Sequence, residues 1–222
     1  TISTKTSVDT SGALLVDAGK ASDGSERKGG VTELPRLGEG AVTAFETSGP
    51  NLWIERAGGF PAAWLGAWTF LFDANGTRSG AYRVLQVDVN GRALVGLAGG
   101  VVPSAYQATY LFDDVRLRNG AGIQSLDPIG GQTIVLEGDT TVDSVIEGAS
   151  VVVKAGSRVH PGVNGVPLRL VVTDTLTVEA GAVLDVTGYG YVGGDSASPN
   201  GRAPAGVGGS SPDAGGSHGG RG

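Results

Sequence analysis

Residues 153–159 read VKAGSRV, and residues 178–184, lying 25 positions further on, read VEAGAVL. Both strings run apolar, charged, two small residues, then apolar again. Looser versions stand at 136–142 (LEGDTTV) and 146–152 (IEGASVV). A small-residue corner between short Val- and Thr-rich runs is what a stacked β coil requires. The chain turns outside the core without a bulky Cβ, while neighbouring coils cover each other's Val, Ile and Leu side chains. The pattern therefore predicts a β-solenoid-like region over 129–187. Hairpins of a β-sandwich use the same turn chemistry, and the irregular spacing of the repeat leaves that alternative open.

Upstream of the repeat the strand signals are different in kind. The run WTFLFDANGTRSGAYRVLQVDVNGRALVGLA contains three apolar segments separated by Asn75-Gly76 and Asn90-Gly91. Asn-Gly is the strongest short hairpin signal, since both positions of a two-residue turn need positive φ. This predicts an antiparallel meander with strands near 67–73, 81–89 and 92–97. A further strand, with Val115 and Leu117 alternating against Arg116 and Arg118, ends at Asn119-Gly120. No stretch above about ten residues keeps apolar positions at helical spacing without a Gly or Pro break. The fold class expected is all-β. It comprises an N-terminal extension (1–29), an antiparallel β domain (30–128), the solenoid-like region (129–187) and a Gly-rich tail (188–222). The tail holds 13 Gly in 35 residues and no Leu, Ile, Phe or Trp, so it builds no core of its own. It reads either as a flexible segment or as extended strands packed side by side.

Composition excludes several functions. Of the 222 residues 40% are apolar, enough for a core, and 40 are Gly. The net charge of −6, with only four Lys, leaves no basic stripe for nucleic acid or an anionic bilayer. No apolar run approaches the ~18 residues of a membrane span. Without Cys there is neither a disulfide framework nor a thiolate metal site. Thr1 in place of a start Met reads as a chain processed or excised from a longer one.

Each short motif fails in its own context. Gly188, Gly190 and Gly193 have the G-x-G-x-x-G spacing of a dinucleotide fingerprint, but GDSASPNGRAPAG follows where a helix is required. Asp213 has the spacing of the ribose-binding acid but sits between Pro212 and Ala214. Gly215-Gly216-Ser217-His218-Gly219 fits a nucleophile elbow without the strand and helix that strain it. Neither a catalytic nor a cofactor-binding residue is assigned, and no metal ligand. Asp73, Asn75 and Thr77 alternate as in short Ca²⁺ loops but lack the terminal bidentate Glu, so a hairpin turn accounts for them. Asp139, Asp143, Glu147, Asp174, Glu179 and Asp185, with Lys154, Arg158 and Arg169, lie in the repeat region, where stacking would bring some together. Trp53, Trp64 and Trp68 crowd with Phe60, Phe70 and Phe72. Most of these read as core, with Trp64, in the loop-like GGFPAAWLGAW, the candidate glycan contact. Tyr189 and Tyr191 are the candidate caps for the open end of the solenoid core.

LTVEAGAVLDVTGYGYVGG, followed by GGSHGGRG, resembles the repeat regions of large secreted or surface-anchored bacterial adhesin-like exoproteins, filamentous-haemagglutinin-like in the broad sense. The resemblance spans about residues 130 to 222 and rests on repeat style. It implies an extracellular or cell-surface structural or adhesive module that self-associates into a fibre or binds a surface glycan or protein, with no catalytic residues. The alternative is a carbohydrate-binding or carbohydrate-active β-helix fragment of lyase or hydrolase type.

Overall fold

The computed structural model describes residues 11–25, 30–163 and 166–190. The chain is all-β, with no α-helix among the described residues. Its described residues divide into two compact units, one within 11–34, 112–125 and 131–190, the other of residues 35–111 and 126–130. The second unit thus enters the chain between two strands of the first.

The first unit is built from parallel ladders. Its longer strands are β1 (Ala13–Asp17), the end of β9 (Ala105–Arg118) from Phe112 on, β11 (Ile129–Leu136) from Gly131 on, β13 (Val145–Val153) and β15 (Arg169–Val178). Each is followed along the chain by a shorter strand, respectively β2 (Val31–Glu33), β10 (Gly122–Gln124), β12 (Asp139–Asp143), β14 (Arg158–His160) and β16 (Val183–Leu184). The short strands pair in the order β16-β14-β12-β10-β2, and the long ones follow the matching order β15-β13-β11-β9, with β1 on β9. Parallel neighbours need a crossover connection. Here β10, β12 and β14 lie in the crossovers from β9 to β11, β11 to β13 and β13 to β15. One long strand, its corner and its short strand make one rung, and the five rungs keep the same order on both sides.

Why these residues stack is visible at the corners. Val16-Asp17-Ala18-Gly19, Val153-Lys154-Ala155-Gly156 and Val178-Glu179-Ala180-Gly181 share one pattern, and Leu117-Arg118-Asn119-Gly120 and Leu136-Glu137-Gly138 are variants. Gly19, Gly120, Gly138, Gly156 and Gly181 all have φ between 70° and 85°. Glycine adopts this left-handed conformation without the Cβ clash that other residues suffer. Inside the turn, Ser157 N–H donates to the Lys154 carbonyl and Ala182 N–H to the Glu179 carbonyl, both at 3.0 Å. Between turns, Gly156 N–H donates to Ala180 O at 3.1 Å. Leu117, Leu136, Val153 and Val159 are fully buried along the stack. The parallel ladders also take in β1, β2 and β10, which lie upstream of the 129–187 region that the sequence pattern marked out.

The second unit is antiparallel. It contains β3 (Glu39–Ala41), β4 (Ala44–Ser48), β5 (Asn51–Glu55), a 3-10 turn (Ala62–Trp64), β6 (Trp68–Phe72), β7 (Arg78–Val87), β8 (Ala93–Val95) and the start of β9. Strands β6, β7 and β8 form the expected meander. The turn chemistry differs from the two-residue type read from Asn-Gly. Gly76 (φ 78°) and Gly91 (φ 75°) are left-handed but Asn75 and Asn90 are not. In both loops the preceding Asp organises the turn: Asp73 Oδ1 accepts from Asn75 and Thr77 N–H at 2.8 Å, and Asp88 Oδ1 from Asn90 and Arg92 N–H at 2.9 Å. D-x-N-G is therefore a longer turn than N-G alone, with the carboxylate satisfying the loop's donors. The core of this unit includes Leu52, Ile54, Phe60, Trp64, Leu71, Val84, Val95 and Tyr106.

Candidate functional site

On the parallel unit, the residue before each corner forms one register. Asp17 pairs with Arg118, Glu137 N–H donates to Leu117 O, Lys154 N–H to Leu136 O, and Glu179 N–H to Val153 O. In parallel ladders those bonds set Asp17, Arg118, Glu137, Lys154 and Glu179 in a column with a spacing of about 4.8 Å. The charges alternate −, +, −, +, −. Arg118 Nη2 lies 2.8 Å from Asp17 Oδ2, and Lys154 Nζ lies 2.8 Å from Glu179 Oε1. Asp17 is held below the usual carboxylate range by the Asn119 side-chain amide first, then by Gly19 N–H and Arg118. Glu179 is lowered by Lys154 first and by Ala155 N–H second. Such solvent-screened pairs add little to stability one by one. Their larger effect is selective, because exchanging two neighbouring rungs inside the column would set like charges against each other.

A second polar cluster lies past the corner on β12, β14 and the segment after β16. Arg158 Nε is 2.8 Å from Asp185 Oδ2, and its Nη1 is 3.5 Å from Asp139 Oδ1. His160 Nε2 is 3.3 Å from the same Asp139 oxygen. His160 Nδ1 lies 2.7 Å from Pro161 O and 2.9 Å from the Tyr189 hydroxyl, and the two rings stack at 5.3 Å. Asp185 is lowered to about 2, chiefly by Thr187 N–H and the Thr187 side chain, then by Arg158. A general acid needs its pKa raised toward the working pH. Asp185 is moved the other way, so it stays an ionised strut. Of the sequence's candidate caps, Tyr189, in the segment after β16, sits here against His160 of β14. Tyr191 lies outside the described residues, as do Gly193, Asp213 and the 215–219 motif.

Three further carboxylates serve the backbone. Asp143 is buried and accepts from Gly162 N–H at 2.7 Å. Asp127, also buried, accepts from Leu37 and Gly38 N–H at 2.6 and 3.0 Å within the antiparallel unit. Asp113 does the same for Ser11 and Gly12 N–H. These short Asp tethers carry no sequence signal beyond the residue itself. Among the described residues, no group of three or more His, Asp or Glu is placed to hold a metal ion.

In the antiparallel unit Trp64 is only 1% exposed. Phe60 and Tyr106 meet it edge-on at 5.0 and 5.5 Å, so its ring faces belong to the core and the loop reading of a glycan contact does not match its placement. Its segment forms a 3-10 turn that folds the indole inward. The half-buried Trp53 instead carries the Arg92 guanidinium 4.9 Å from its ring centre, and Arg92 is fixed by Asp88 at 2.8 Å. An open groove in this unit is lined by Glu39, Asp73, Ser104, Tyr106 and Gln107. Gln107 Nε2 donates to Glu39 Oε2 at 3.3 Å across it, and Ser104 Oγ donates to Asp73 O at 2.6 Å. Its polar groups are hydroxyl, amide and carboxylate, the set that hydrogen-bonds hydroxyl-rich ligands.

No protein-family model matches the chain, and no curated protein or solved structure matches it either. No helix among the described residues is long and apolar enough to cross a membrane.

Proposed function

We propose that the protein is a non-catalytic structural and adhesive module of an extracellular or cell-surface assembly. In this reading the parallel unit is a short β-solenoid that supplies rigidity, and the antiparallel unit, whose residues 35–111 fall in sequence between its first and second rungs, supplies the binding surface. The observation that carries this is the corner column: five rungs in matched register with alternating charge, glycine at each turn and apolar residues beneath. Such an arrangement supplies rigidity through nearest-neighbour stacking. Its ionisable groups support the same reading, since Asp17, Glu179 and Asp185 are held ionised by cations and N–H donors, as structural struts are.

The test is binding of the purified chain to panels of surface glycans and extracellular proteins, run beside polysaccharide-cleavage assays. Saturable binding without consumption of ligand is expected. Release of reducing ends or unsaturated products, abolished by Asp143→Asn or Asp185→Asn, would overturn the reading in favour of a carbohydrate-active enzyme. A carbohydrate-binding role has its own support in the groove at Glu39 and Gln107. It is checked by whether Gln107→Ala weakens glycan binding while leaving the thermal unfolding unchanged.

A further inference from the structure

The fifth rung exposes side chains whose counterparts in earlier rungs are buried. Immediately before the charged corner residue stand Val16, Leu117, Leu136, Val153 and Val178. The first four are buried, and Val178 is 45% exposed. Two residues earlier stand Leu14, Val115, Ile134, Val151 and Leu176, again buried four times and then 46% exposed. Across the corner, Thr140 and Val159 are fully buried while their register partner Leu184 is 40% exposed, with Val183 and Val186 exposed beside it. Among the described residues β15 and β16 end their sheets, each with a ladder partner on one side. The charge column also stops in an unbalanced state. Arg118 and Lys154 each stand between two carboxylates, whereas Glu179 has Lys154 on one side and no described rung on the other.

We propose that this edge is a docking site for one further β-arc: a polypeptide with alternating apolar residues, a small-Gly corner, and Lys or Arg directly before that corner. The proposal rests on the stacked-rung reading above. Backbone donors and acceptors of β15 and β16 provide the ladder, and the exposed Leu176, Val178 and Leu184 provide the apolar seats, as in strand addition to an open sheet edge. Charge supplies the selection. A cationic corner residue continues the alternation over Glu179, while an acidic one repels it. The chain's own first rung presents Asp17 at that position, so a second copy stacked head to tail would set carboxylate on carboxylate.

The experiment titrates the full chain into a labelled peptide copying residues 145–160, which carries Lys154 before its corner, and into the same peptide with Lys→Glu there. Saturable binding is expected for the first, weaker by about fivefold or more for the second, as a cross-strand pair changes from attraction to repulsion. Because a short peptide pays for its own ordering, the same two segments are also fused after residue 190, and the Lys form is expected to unfold at the higher temperature. Equal affinity of the two peptides overturns the proposal, as does absence of binding together with charge-independent melting of the fusions. Concentration-dependent end-to-end assembly of the unmodified chain would give the edge to a second copy. Tighter peptide binding by a chain shortened to residue 190 would give it to residues 191–222. Either result overturns the proposal. A Val152→Cys/Thr177→Cys cross-link, tested on the same protein, separates the two claims: if it forms while the peptides fail, the docking proposal falls and the stack stands.

Discussion

Val153 and Val178 occupy the same position on adjacent rungs and face each other in register, yet one is fully buried and the other nearly half exposed. Replacing each with Ala therefore holds chemistry and local geometry constant while varying only what covers the side chain. Val→Ala removes two methyl-sized groups, about 1.6 kcal/mol of transfer free energy when burial is complete. At Val153 the neighbouring rungs cannot close the gap, and the cavity term raises the cost to about 2–3 kcal/mol. At Val178 about half the transfer free energy applies and no enclosed cavity forms, so the loss is about 1 kcal/mol or less. Urea unfolding followed by far-UV circular dichroism reads the difference. Fluorescence would not, because Trp53, Trp64 and Trp68 all belong to the antiparallel unit. Equal losses at the two positions would refute the claim that Val153 is enclosed by rungs on both sides and Val178 on one.

Acid should weaken the parallel unit. Asp17, Glu179 and Asp185 have folded pKa values below their unfolded ones, so their contribution is complete above the unfolded range and is lost as pH falls through the folded values. The urea midpoint is expected to drop between about pH 5 and pH 2, and Glu179→Gln with Asp185→Asn to flatten that dependence. The two D-x-N-G turns should respond differently to Ala. Gly76→Ala meets nothing within 4 Å and costs only the left-handed strain, about 1–2 kcal/mol, whereas a Cβ on Gly91 would sit 2.9 Å from Gly59 Cα. Tryptophan-monitored melting should therefore show the larger loss for Gly91→Ala. Trp64→Ala should cost about 3–5 kcal/mol in the same assay, and a Trp64→Ala variant that kept full stability but lost glycan binding would restore the contact role.

The corner repeat is legible at 153–156 and 178–181, where Gly156 and Gly181 turn with positive φ, whereas the looser IEGASVV at 146–152 lies inside β13 and makes no corner. Val16-Asp17-Ala18-Gly19 carries the corner string too, and it marks the first rung. It escapes a search for regular spacing because the antiparallel unit is inserted between it and the next rung, so the period is interrupted. Hairpin positions were readable from Asn-Gly, but their turn type depended on Asp73 and Asp88, whose carboxylates decide which backbone donors are satisfied. The burial of Trp64 is not legible in its sequence, because a loop-like composition, GGFPAAWLGAW, says nothing about the side of the backbone on which a 3-10 turn places its indole. The pairings of Asp139 with Arg158 and of Tyr189 with His160 are contacts between rungs. They follow from register, which no single segment contains.

Register is also the claim on which the rest depends, and the absence of cysteine from the chain makes it directly measurable. Val152 and Thr177 are direct partners in the β13–β15 ladder. Adjacent strands at about 4.8 Å fall within the Cα separations of about 4.4–6.8 Å that a disulfide spans. Under mild oxidation, Val152→Cys/Thr177→Cys is expected to form an intramolecular cross-link in high yield, seen as faster migration on a non-reducing gel and reversed by reductant. Val152→Cys/Leu176→Cys, one residue out of register and on the opposite face, is expected to form little. Equal cross-linking of the two pairs, or preference for the second, would contradict the parallel stack.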